Sequence, residues 1–269
     1  MGWLLCSQTL KTPPHQKENE HPFMRRYWID KDSLKNDQVH LSGDVFHHIF
    51  DVCRQDLGSE FEVLTEEGKA YRVKVDNKGK KEAVAHVISS RTLPLLPRPW
   101  VHLVLSIPRF PVFDAVIEKA VELGVKSIQP VFSDHSFVRK SDSISENKFD
   151  RWQKIIRSAT QQSNRGDLME LNSPVDLKEF LNKINQTEGW EGLFAYEGDS
   201  PIDIKSYLSQ KSQTRTLSPS DLWIFVGSEG GFSLEEVELL TKAGLKPVTL
   251  GSQVLRVETA CVTLVSVQV

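Results

Sequence analysis

Between Arg25 and about Ser90 apolar and polar positions alternate in short runs, EFEVL, AYRVKV and EAVAHVI. A period of two marks a strand with one buried face, because successive side chains leave a strand on opposite sides. The runs are rich in Val, Phe and Tyr, and DLGS, TEEGK and DNKGK separate them with residues that turn the chain. A small β barrel or sandwich is therefore expected over residues 24–92. RTLPLLPRP, residues 91–99, carries three prolines, each without the N–H that a sheet ladder needs. The boundary between two domains is expected there.

Beyond it, over residues 98–269, the rhythm changes. WVHLVLSI is an apolar run of strand length, and in PVFDAVIEKAVELG the residues Phe113, Val116, Ile117, Ala120 and Val121 recur at helical spacing. Pro111 suits the first turn of that helix and Gly124 its end. SIQPVF, GLFAY, DLWIFVG and PVTLG read as strands, and NKFDRWQKIIRSATQQS and SLEEVELLTKAG as helices. VETACVTLVSVQ reads as a largely apolar helix, to be buried against this domain or against another subunit. Strands alternating with helices predict an α/β fold with a parallel sheet, whose ligands bind outside the carboxyl ends of the strands.

Composition narrows this picture only modestly. With 269 residues, 39% of them hydrophobic, and a net charge of −3, the chain is globular without a global basic excess. A local basic face would still suffice for RNA. Cys6, Cys53 and Cys261 are odd in number and lie outside any CxxC spacing, which suits a reducing cytoplasm better than a disulfide framework or a zinc site. The histidines form no HExxH pattern; His47, His48 and His135 read as structural, and no metal is expected. The apolar run MGWLLC is too short for a secretory signal, and no run approaches the ~18 apolar residues of a membrane span. Residues 1–23 read as a polar, disordered leader.

Three stretches carry candidate chemistry. In FVGSEGGFSLEEVELL, residues 225–240, Gly227, Gly230 and Gly231 follow a strand and permit close backbone approaches, while Ser233 and Glu236 stand at capping-box spacing. Such a loop either cradles a ligand or only turns a corner. No GK[ST] follows, so it is not a phosphate loop of the nucleoside-triphosphate type. In the terminal stretch TLGSQVLRVETA, Arg256 and Glu258 sit where a loop enters the last helix; they belong either to a solvated helix start or to a site. On the helix from Asn147, Phe149, Trp152, Ile155, Ile156 and Ala159 share one face and Arg151, Lys154 and Arg157 the other. QQSNRGD then adds Arg165, giving either a solvated basic face or one that holds RNA phosphates.

KAVELGVKSIQPVFSDHS, WQKIIRSATQQSNR, FVGSEGGFSLEEV and LGSQVLRVETA occur in an order and spacing that resemble the RsmE family of 16S ribosomal RNA (uracil-N3)-methyltransferases. HHIFDVCRQDLGSEFEVL is similar to that family's PUA-like RNA-binding domain. The resemblance runs from Met24 to the end. It implies an N-terminal β-barrel and a SPOUT-type α/β domain with a C-terminal trefoil knot, an exception to the rule against knots. It further implies a cytoplasmic homodimer that uses S-adenosylmethionine to methylate 16S ribosomal RNA in the small ribosomal subunit. By position, the cofactor would lie against Gly227, Ser228, Glu229, Gly230 and Gly231, and against Leu250, Gly251, Val254, Leu255, Arg256 and Thr259. Arg165 and Arg256 would stabilise the anionic uracil, with Glu258 or Glu229 as proton acceptor. Arg25, Arg26, Arg54, Arg151, Lys154, Arg157 and Arg165 would meet RNA.

The chain departs from the family pattern at three places. Ser228 replaces the proline of a G-P-E-G-G loop, SIPRFP offers Arg109 where a lysine is usual, although Lys119 is retained, and Val269 falls inside the last expected helix. Two other readings remain: a SPOUT methyltransferase with a different RNA target, and a non-catalytic RNA-binding protein with a degenerate cofactor pocket.

Overall fold

The computed structural model describes residues 24–140, 143–163, 165–186, 190–198, 202–213 and 221–267. The expected leader, residues 1–23, lies outside the described residues, as does Val269.

The N-terminal half forms β1 (Arg26–Trp28), β2 (Leu34–Lys35), β3 (Gln38–Ser42), the short α1 (Gly43–Phe46), β4 (Glu60–Thr65), β5 (Lys69–Lys78) and β6 (Glu82–Thr92). They make one sheet in the order β1-β4-β5-β6-β3-β2, antiparallel except for the β1–β4 pair. The alternation anticipated in EFEVL, AYRVKV and EAVAHVI is what buries Phe61 and Val63, Val73 and Val75, and Ala83 and Ala85 in one core. That core is capped by a feature the periodicity did not announce. α1 runs into a π-helical turn, His47–Val52, whose Ile49 and Phe50 are buried with Phe46. Each such large side chain contributes roughly 1.5–3 kcal/mol by leaving water.

The second half forms a wholly parallel sheet. Its strands are β7 (Val101–Ser106), β8 (Ser127–Phe132), β9 (Glu170–Leu171), β10 (Val175–Asp176), β11 (Glu191–Ala195), β12 (Ile202–Asp203), β13 (Leu222–Val226) and β14 (Lys246–Thr249). The order is β10-β8-β7-β13-β11-β14-β12, with β9 beside β8. Helices α2 (Phe110–Glu122), α3 (Glu146–Gln162), α4 (Leu177–Ile184), α5 (Ile204–Gln213), α6 (Leu234–Lys242) and α7 (Val257–Ser266) cover both faces. Leu103, Leu105, Leu193 and Ile224 point to the face shared with α2, α3 and α7; Val104, Phe194 and Phe225 point to the face shared with α4 and α6. This explains why the strands read as continuous apolar runs rather than alternating ones.

The helices expected from Pro111, Asn147, Ser233 and Val257 all form, within one or two residues of the expected starts. α4, α5 and the two-residue strands were not anticipated. Trp152 of α3 is fully buried among Phe110, Phe113 and Phe149, and its indole N–H donates to Asp114 of α2 at 2.9 Å.

Candidate cofactor and RNA site

β13 and β14 flank β11, so the loops that follow these three strands leave the same carboxyl edge of the sheet. With neighbouring strands ~4.8 Å apart, the loops after β13 and β14 start roughly 10 Å from one another. That span suits a small organic ligand.

The loop after β13 is a tight reversal. Gly231 N–H donates to Ser228 O at 2.9 Å, and a Cβ on Gly227 would lie 2.7 Å from the Gly231 Cα. Only glycine lets the chain fold back on itself this closely. The loop then enters α6 through a capping box: the Ser233 hydroxyl accepts from Glu236 N, and the Glu236 carboxylate accepts from Ser233 N at 2.8 Å. The corner and the cradle are thus built from the same residues. Glu229 is exposed, with one carboxylate oxygen accepting from Arg109 N at 3.1 Å at the start of α2.

Opposite stands the loop Leu250–Arg256. Gly251 takes a φ of +128° and is held by the Thr249 hydroxyl, which donates to its carbonyl at 3.0 Å. Leu250 and Leu255 rest on the α2–α3–α7 core, whereas Val254 is 80% exposed. An apolar side chain left in water at the carboxyl edge suits contact with a partly apolar ligand. Arg256 is exposed at the N-cap position of α7; Glu258, half-buried in the first turn, complements the positive end of the helix, and Thr259 is exposed. Burial first, and the Glu258 charge second, push the Cys261 thiol far up, so it stays protonated and inert as a nucleophile.

Arg165 requires a correction. It was expected at the uracil and at RNA phosphate, but its side chain is 3% exposed and ion-paired with Asp167 at 3.0 Å. Its guanidinium also donates to Val125 O at 2.7 Å, ahead of β8 and therefore at the amino edge of the sheet, away from the glycine loop. Within one chain it is a clamp in the fold. Arg26 is likewise turned inward, 11% exposed and paired with Glu62 at 2.9 Å. Arg151 lies on the surface but is tied to Asp114 at 2.9 Å. Arg25 donates to Cys53 O at 2.9 Å from an exposed position beside Arg54, which is exposed with a φ of +56°. Lys154 is exposed and Arg157 half-buried on the outer side of α3.

One element escaped the sequence reading. The loop Ser133–Ser136 after β8 grips the glycine loop: His135 Nδ1 lies 2.9 Å from Gly230 O, the Ser228 hydroxyl donates to His135 O at 2.5 Å, and the Ser233 hydroxyl donates to Asp134 at 2.6 Å. The one available signal was that SDHS follows SIQPVF at a carboxyl strand end. Among the described residues no group of three His, Cys, Asp or Glu side chains could hold a metal ion, and no helix is long and apolar enough to cross a membrane.

Known proteins bear on this geometry. The RNA methyltransferase domain family matches residues 95–269, and the RNA methyltransferase PUA domain family matches residues 41–88. Ribosomal RNA small subunit methyltransferase E of Aquifex aeolicus is 32% identical over 225 residues, covering 84% of this chain and 90% of that protein. The chain belongs to the ribosomal RNA small subunit methyltransferase E family.

Solved structures share its fold. The methyltransferase E of Neisseria gonorrhoeae bound to S-adenosyl methionine is 25% identical, with a TM-score of 0.75 over 91% of this chain and 97% of that one. A Legionella pneumophila structure in complex with the same cofactor, also 25% identical, gives 0.78 over 91% and 96%. Gly227, Gly230 and Gly231 carry no Cβ, and the facing loop exposes Val254, an arrangement that would fit S-adenosylmethionine.

Proposed function

We propose that this chain transfers a methyl group from S-adenosylmethionine to N3 of a specific uridine in 16S ribosomal RNA of the small ribosomal subunit. The carrying observation is the pair of loops, one glycine-built and one bearing Val254, Arg256 and Thr259, at a single edge of a methyltransferase E sheet. When bound, S-adenosylmethionine supplies an electrophilic methyl carbon.

The residues divide the remaining work. Gly227, Ser228, Glu229, Gly230 and Gly231 form one wall, with main-chain groups that approach where side chains would block. Leu250, Gly251, Val254, Leu255, Arg256 and Thr259 form the other. Uracil N3 carries a proton at neutral pH, so methylation needs both a proton acceptor and a cation where negative charge collects. Arg256, exposed at the start of α7, serves as the cation. Glu258 is the favoured proton acceptor of the two carboxylates, since Glu229 already commits one oxygen to Arg109 N–H. Holding base and methyl in line supplies further rate.

RNA is held by the PUA-like β-barrel through Arg25 and Arg54, and by α3 through Lys154 and Arg157. The C-terminal segment is threaded as a trefoil knot, and the enzyme works as a cytoplasmic homodimer with α7 at the interface. Intrachain packing already covers Val257, Ala260, Cys261, Leu264 and Val265, which leaves the half-buried Val262 and the exposed Val267 for a partner. The test is incubation with labelled S-adenosylmethionine and small-subunit particles from a strain lacking the enzyme. Label is expected on uridine N3; its absence there overturns the assignment.

A further inference from the structure

Two hydrogen bonds run between His135 and the glycine loop, each from a side chain of one stretch to the backbone of the other. The Ser228 hydroxyl donates to His135 O at 2.5 Å, and His135 Nδ1 faces Gly230 O at 2.9 Å. A carbonyl only accepts, so Nδ1 carries the proton. The two stretches also pack tightly, since a Cβ on Gly230 would lie 2.9 Å from the His135 Cβ.

The loop bearing His135 is itself anchored from beneath. The hydroxyls of Ser106, Ser133 and Ser136 are buried and bonded to one another, with Ser106 and Ser136 3.0 Å apart. The Ser136 hydroxyl also accepts from Ser133 N at 2.8 Å. These serines stand at the carboxyl ends of β7 and β8, so the position of His135 is referred to the sheet rather than to a free loop.

We infer that His135 and Ser228 are positioning residues for the cofactor loop: their reciprocal hydrogen bonds fix the Gly230 peptide and thereby aim the main-chain groups that meet S-adenosylmethionine. The inference rests on the cofactor role proposed above for that loop. A backbone ordered before binding spares the binding step the cost of ordering it. A proline at position 228 would restrict φ directly; a serine does not, and here the hydroxyl bond to His135 supplies the restraint instead.

The test compares wild type with Ser228→Ala, His135→Ala, the double alanine variant and His135→Asn, whose amide nitrogen takes the place of Nδ1. Two quantities are read: amide hydrogen exchange across Gly227–Phe232 without cofactor, and the Kd for S-adenosylmethionine by calorimetry. Each single alanine variant is expected to quicken exchange in the loop and raise Kd about 3- to 10-fold, the effect of losing one hydrogen bond. The double variant should fall short of the product of the two, as groups holding one loop do. His135→Asn should restore both readouts. Wild-type exchange and Kd in both alanine variants, or a His135→Asn that matches His135→Ala, overturns the clamp. No heat from wild type would instead sink the functional reading, while the exchange comparison would still decide the clamp.

Discussion

The carboxylate of Glu236, 4% exposed at the start of α6, accepts the backbone N–H of Asp134 at 2.8 Å across 102 residues of chain. Its second oxygen takes Ser233 N–H at 2.8 Å. One side chain therefore both starts a helix and docks it onto the loop after β8. Replacing Glu236 by Ala leaves two backbone donors in need of new partners, at a cost of about 2 kcal/mol. Urea denaturation should show that loss, with a smaller one for Glu236→Gln, which keeps an acceptor. A Glu236→Ala protein of wild-type stability would mean the carboxylate is only a surface cap.

Arg165 yields a prediction opposite to the one its sequence context suggests. A guanidinium bonded to Val125 O and Asp167 at 3% exposure acts on stability. Arg165→Ala removes this partner from Asp167 and this donor from Val125 O, costing about 3 kcal/mol. The unfolding free energy should drop by that amount, while RNA affinity of the folded fraction stays near wild type. Weakened RNA binding without destabilisation would return Arg165 to the substrate.

Why one half of the site could be read from sequence and the other could not follows from the kind of interaction involved. Gly227–Gly231 and the Ser233/Glu236 box are local, and glycine spacing and capping chemistry are written in consecutive letters. The longer strands of the parallel sheet were legible because burial on both faces forces unbroken apolar runs such as LWIFV. The pairings of His135, Asp134 and Arg165 were not legible because the partners lie 95, 102 and 40 residues away in the chain. Nothing in the spacing of single letters reports such pairings. Trp152 shows the intermediate case: its burial followed from helical periodicity, but its bond to Asp114 did not.

His102 makes stability depend on pH. Its ring stacks on Trp223 with centroids 4.3 Å apart, Nδ1 meets the Ser127 hydroxyl at 2.7 Å, and Nε2 lies 3.9 Å from Asp221. Burial holds its pKa below the ordinary 6.5; the charges of Asp221 and Glu170 oppose that shift, and those of Lys126 and Arg98 add to it. The folded protein thus prefers the neutral ring, and the unfolded chain takes up the proton first as pH falls. The stabilisation is complete above about pH 6.5 and is lost as pH drops toward the folded-state pKa, by at most ~1.4 kcal/mol per pH unit for one proton. His102→Gln should flatten the decline in thermal midpoint between pH 7.5 and 5.5. An unchanged decline would place its origin elsewhere.

On α3 the expected basic stripe divides by partner. Arg151 is committed to Asp114, so its reversal would disturb the α2–α3 contact as well as any RNA. Lys154 is exposed and gives the cleaner probe. If it meets a phosphate, Lys154→Glu should weaken RNA association at every sequence tested and reduce the slope of log K against log salt by about 1. An unaltered slope would make the stripe a solvated face.

Gly227 gives the sharpest separation of fold from function. A Cβ there would lie 2.7 Å from both the Cα and the carbonyl carbon of Gly231, and backbone atoms cannot rotate away as a side-chain tip can. The turn must open, breaking the Gly231 N–H bond to Ser228 O at 2.9 Å. The strand before it need not move, because Leu222–Val226 is paired along its length with β7 and β11. Gly227→Ala should therefore lower affinity for S-adenosylmethionine at least about 10-fold, equivalent to roughly 1.4 kcal/mol, while circular dichroism stays at wild-type values. RNA binding through the N-terminal sheet, some distance along the chain from this turn, should persist. Wild-type cofactor affinity in Gly227→Ala would show that this loop turns the chain and contributes no wall to the site.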